Sequence, residues 1–118
     1  PLTSLAYHDY EGIALNEAEK PRLVADLGRG AYMILRNHGL LTAAATIPDA
    51  FLSMYILETA CQTQLFAQSA GVPLTLISPQ ILAGIKAQAE AVTKGLGGSL
   101  AWPGLLRKLD RRDSSFRN

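Results

Sequence analysis

The sequence predicts an α/β fold, and three observations carry the prediction. In Met33-Ile34-Leu35-Arg36-Asn37-His38-Gly39-Leu40-Leu41 an apolar, strand-forming run meets a polar elbow and then a second apolar pair, the pattern of a buried strand that turns. Two other stretches, opening at Asn16 and at Thr46, repeat apolar residues at helical spacing behind good capping residues. With 118 residues, 48 % apolar and 18 % charged, the chain can build one core of moderate size.

The composition narrows the function classes. Eleven Lys and Arg against ten Asp and Glu leave a net charge of +1, so no nucleic-acid partner is indicated. Cys61 is the single cysteine, which rules out an intrachain disulfide framework and fits a reducing compartment. No apolar run approaches the roughly 18 to 20 residues of a membrane span, and no signal peptide opens the sequence. The expected setting is therefore cytoplasmic, without membrane insertion.

Taken in order, Pro1 to Leu15 reads as the continuation of something upstream, with a half-exposed strand around Leu5 to Ile13. His8, Asp9 and Glu11 invite a ligand-cluster reading. Neighbours in a strand point to opposite faces, so solvated strand residues are the expectation. A helix follows. Asn16 is its candidate N-cap, Glu17 and Glu19 suit the first turn, Leu23, Val24 and Leu27 form the apolar stripe, and Gly28 ends it. Pro21 allows a second version in which the true first turn lies there and Asn16 to Lys20 is loop. Gly28-Arg29-Gly30 fits a cap and turn better than a phosphate cradle.

The longest helix is expected after Thr46, whose spacing to Asp49 is that of a capping pair with Pro48 in the first turn. Phe51, Met54, Leu57, Cys61 and Leu65 give it an apolar face that should pack on the sheet carrying His38, and Gly71 ends it. Cys61 on that face reads as a small hydrophobe. Glu58 is either exposed or a partly buried carboxylate. Val72 to Ile77 is an extended linker, and Ser78-Pro79 opens another helix with Ile81, Ile85, Ala89 and Val92 on its apolar side. Gly95 to Ser99 is a break, a short helix is expected after Pro103, and the mixed-sign end from Arg107 to Asp113 reads as solvated.

His38 is the candidate site residue. Histidine is the commonest metal ligand, and here it stands at the end of a stiff strand beside a glycine; a hydrogen-bonded core histidine is the plainer alternative.

Four blocks carry a wider likeness: His8-Asp9-Tyr10-Glu11-Gly12-Ile13, Arg36-Asn37-His38-Gly39-Leu40-Leu41, Leu57-Glu58-x-Ala60-Cys61-x-x-Gln64 and Leu105 to Asp113. Together, and in this order, they resemble the class II aldolase/adducin domain. The resemblance implies a partial α/β/α sandwich around a mainly antiparallel sheet. It makes residues 1–118 the C-terminal part of one such domain, with the N-terminal half absent. It further implies zinc held by three histidines, of which His38 matches the one in the Asn-His-Gly block. The other two would come from a His-x-His element in the absent half, as would the acid/base glutamate. The expectation is a portion of a zinc-dependent lyase or epimerase acting on a sugar or sugar-phosphate, inactive and metal-free as this chain alone, and homo-oligomeric. An adducin-like scaffold without metal is the alternative.

Overall fold

The computed structural model describes residues 5–13, 15–93 and 97–117. Its elements run β1 (Leu5–His8), α1 (Lys20–Leu27), β2 (Tyr32–Leu35), β3 (Gly39–Thr42), α2 (Ile47–Ser69), α3 (Pro79–Thr93) and α4 (Gly98–Asp110), with short 3-10 turns at Glu17–Glu19 and Ser115–Arg117.

The three strands form one sheet in the order β1-β2-β3. It is mixed: β1 and β2 run parallel, with Ala6 opposite Met33, whereas β2 and β3 are antiparallel, with Met33 opposite Leu41. The parallel pair follows from the connection, because α1 carries the chain back to the starting edge, while a tight turn can only reverse a strand. Alternation of side chains sends Ala6, His8 and Met33 to one face and Leu5, Tyr7 and Ile34 to the other. α1 covers the first face through Asp26, which bonds His8. α2 covers the second, where the Thr42 hydroxyl donates to the Ala50 carbonyl at 3.1 Å. The result is the α/β/α layering expected.

Both versions of the first helix are present in succession. Asn16 accepts from the Ala18 N–H and caps the 3-10 turn, and Pro21 then lies in the first turn of α1. Gly28 ends α1 at φ 56°, donating its N–H to Val24. At α2, the Asp49 N–H donates to the Thr46 hydroxyl at 3.2 Å, as the capping spacing predicts. α2 differs from the expected one-sided helix, since its apolar residues are spread around its circumference. Leu57 is fully buried, Phe51 meets Trp102 edge-on at 5.6 Å, and Tyr55 and Ile56 face the 74–77 linker across an apolar groove. A helix with neighbours on several sides has no single solvent face to keep polar.

The last helix also departs from expectation. It starts at Gly98, ahead of Pro103, and contains that proline. What fixes the early start is the seam with α2: the Gly98 N–H donates to Asp49 Oδ1 at 2.8 Å, and a Cβ at Gly98 would overlap the Pro48 carbonyl. Only glycine permits so close an approach. Hydrogen bonds from the Thr46 hydroxyl and then the Gly98 N–H hold the Asp49 carboxyl below its usual range. Of the predicted break at Gly95 to Ser99, residues 95–96 lie outside the described residues.

Among the described residues, Met33 and Leu57 are the large side chains fully withdrawn from water. No helix among them is long and apolar enough to cross a membrane.

Candidate functional site

His38 sits in the three residues, 36–38, that join paired Leu35 and Gly39. Its N–H closes the turn on the Leu35 carbonyl at 3.1 Å. The left-handed position is Asn37, at φ 55°. Asparagine tolerates that conformation better than other side-chain-bearing residues. Gly39 has ordinary backbone, and a Cβ there would meet nothing within 4 Å. His38 is exposed at the tip of a short hairpin, not sealed in the core.

Beside it, between the sheet and the C-terminal half of α2, lies a cavity of about 440 Å³. Tyr7, Ile34, Leu40, Cys61 and Gln64 line it together with His38. Its volume falls within the usual range of small-molecule sites, and its lining is mostly apolar. Cys61 is half-buried on that wall, and Glu58 is exposed, accepting from the Gln62 amide at 2.9 Å.

The other histidine reverses its sequence reading. His8 is only 4 % exposed. Its Nδ1 lies 2.7 Å from Asp26 Oδ2, and its Nε2, buried without a hydrogen-bond partner, lies 3.4 Å from Glu19 Oε1 and 3.9 Å from Glu11 Oε1. The expectation of a solvated strand residue failed because α1 folds back over β1, a contact across 18 residues that local alternation does not reveal. The Asp26 hydrogen bond raises the His8 pKa above 6.5; burial opposes it, and Glu19 and Glu11 add to the rise. Glu11 is held below its usual range chiefly by its hydrogen bonds from Arg22, whose Nε donates at 2.7 Å and whose Nη2 also bonds the carboxylate. Asp9, expected to be solvated, is 90% exposed and pairs with Arg36 at 3.0 Å.

The described residues do not by themselves fit a zinc ion. No group of three or more His, Cys, Asp or Glu among them could hold a metal, and a catalytic zinc needs about three protein ligands with one position open. His38 has the exposure that one such ligand needs. Two features escaped the sequence reading: the His8–Asp26 pair, which had no local signal, and Tyr10, which stacks on His38 at 6.2 Å and 26°.

A β-α-β unit, an antiparallel hairpin carrying Asn-His-Gly and a long helix across the sheet define a class, and comparison names it. The model of the Class II Aldolase and Adducin N-terminal domain matches residues 2–65, and this chain belongs to that family. The "Putative aldolase class 2 protein" of Caulobacter vibrioides is 46% identical over 115 residues, covering 98% of this chain and 45% of its own length. A protein of similar name from Pseudomonas aeruginosa is 52% identical over 119 residues, covering 98% and 46% respectively. Alpha-adducin of Rattus norvegicus is 40% identical over 82 residues, 66% of this chain and 11% of the adducin. The crystal structure of an aldolase II superfamily protein from Pseudomonas syringae superposes with a TM-score of 0.85 at 44% identity, over 97% of this chain and 46% of that one. This chain thus spans about half the length of the bacterial relatives it matches.

Proposed function

We propose that this chain is the C-terminal part of a class II aldolase-type domain and that His38 is one ligand of a zinc ion completed by donors outside the described residues. The whole protein would act as a lyase or epimerase on a sugar or sugar-phosphate. The observation that carries the reading is the placement of His38, exposed on a hairpin and lining a cavity of about 440 Å³. A zinc ion held in part by His38 would supply Lewis-acid polarisation of substrate carbonyl and hydroxyl oxygens. This chain's own contribution is to hold one imidazole in place and to wall the cavity with Tyr7, Ile34 and Leu40. One imidazole binds zinc weakly. The 118-residue chain alone should therefore take up no tight zinc, and the native polypeptide that carries it should hold zinc that His38→Ala removes. Metal analysis after dialysis reads both. Tight zinc on the isolated chain at neutral pH, or zinc retained in His38→Ala, overturns the proposal.

The second reading is a metal-free scaffold, favoured by the 40% identity to alpha-adducin. The upstream reading frame separates the two: a His-x-His there supports zinc chemistry, and its absence supports the scaffold. Under either reading we propose self-association. Leu65, Phe66 and Leu76 stand 66%, 74% and 83% exposed, and apolar surface of that kind is normally covered in an assembly. Light scattering at micromolar concentration should give an oligomer; a monodisperse monomer sinks this part.

A further inference from the structure

We infer that Tyr10 is a positioning residue for His38, fixing the orientation in which the imidazole meets the cavity. The inference rests on the proposal that His38 is the working ligand of the site. The two rings lie 6.2 Å apart at 26°, inside the range in which aromatic pairs attract. Tyr10 is 53% exposed, so its ring is not there to fill the core.

What makes the contact more than a chance neighbourhood is the anchoring on either side of it. Before Tyr10, the His8 carbonyl accepts the Arg36 N–H at 2.9 Å and Asp9 Oδ1 takes Arg36 Nε at 3.0 Å, which ties this segment to the His38 hairpin itself. After it, Glu11 is gripped by the Arg22 guanidinium on α1, and Gly12 turns the chain away at φ 103°. The Arg36 guanidinium also covers the Tyr7 ring, 4.9 Å from its centroid, so the hairpin is clasped from a second strand residue. With the backbone before Tyr10 bonded to Arg36 and Glu11 held by Arg22, Tyr10 is kept beside the His38 ring. A free histidine at a hairpin tip would sample several rotamers, whereas a stacked one is held near a single plane before any ligand arrives.

The test compares the wild-type native polypeptide with Tyr10→Phe, Tyr10→Leu and His38→Ala, reading His38 ring-proton NMR shifts and the rate of its acylation by diethyl pyrocarbonate after dialysis against a chelator, so that no metal holds the ring. Tyr10→Leu should remove the ring-current shift on His38 and loosen its preferred rotamer by roughly 2- to 10-fold, the fold-change that corresponds to an aromatic pair of about 0.5–1.5 kcal/mol. Acylation should quicken. Tyr10→Phe should restore both signals; a merely structural role for Tyr10 would lower the melting temperature of Tyr10→Leu without moving the His38 resonances or its acylation rate. Unchanged His38 resonances and acylation in Tyr10→Leu overturn the inference. The His38→Ala arm, read by zinc content, judges the ligand proposal separately. Its failure alongside a positive Tyr10→Leu result would leave a positioned imidazole whose partner is not zinc.

Discussion

His8 and His38 are the chain's two histidines, and the fold treats them as opposites. His8, at the end of β1, is clamped under α1 with Asp26 on one nitrogen and Glu19 and Glu11 near the other. Its ring is bound up in holding two elements together, and its raised pKa reflects carboxylates gathered around it. His38, at the tip of the next hairpin, has a stacked tyrosine, an adjoining cavity and solvent. A histidine committed to carboxylates within the fold is a fastening; one displayed beside a cavity is available to a ligand. The same residue type thus divides into structural and site roles according to what covers it.

The contrast is most severely tested by the closed face. Truncating Met33, fully buried opposite Ala6 and two residues before the strand partner of His8, to Ala should cost about 2–5 kcal/mol of stability, whereas His38→Ala should cost no more than the stack on Tyr10, about 0.5–1.5 kcal/mol. Urea unfolding measures both. A large loss at His38 would place it among the fastenings and erase the distinction.

The next effect concerns pH. The folded-state pKa of His8 is raised above 6.5, so its stabilising contribution is fully present below pH 6.5 and fades as pH rises through the folded value. His8→Gln should therefore lower the melting temperature most under mildly acidic conditions and less on the alkaline side. A melting curve whose pH dependence survives His8→Gln would show that the clamp does not act as an ion pair.

How much of this contrast could be read beforehand depends on sequence distance. The hairpin, both helix starts and the turn at Gly28 were legible because caps, prolines and glycines act on their immediate neighbours. The Asn-His-Gly block likewise places His38 at a strand end without help from the rest of the chain. His8 was misread since Asp26 reaches it only after α1 has packed, and the start of α4 was missed since Gly98 answers to Asp49, 49 positions earlier. The mixed sheet belongs to the same group, being set by the return path of α1 and not by any strand's own residues.

A smaller effect probes the hairpin that displays His38. Asn37 holds φ 55°, and forcing a Cβ residue without asparagine's local hydrogen bonding into that region costs about 1–2 kcal/mol, so Asn37→Ala should destabilise by about 1 kcal/mol and broaden the His38 resonances.

The smallest effect is expected next door, at Gly39. Its backbone is ordinary and an added Cβ meets no atom within 4 Å, so Gly39→Ala should change stability by no more than about 0.5 kcal/mol despite standing in the Asn-His-Gly block. Should unfolding show it neutral while the native polypeptide loses zinc or turnover, the glycine keeps the approach to His38 open for something outside this chain. A loss of stability as large as that of Asn37→Ala would instead mean that the hairpin needs both residues to stand, and the display of His38 would then depend on the whole turn and not on one left-handed residue.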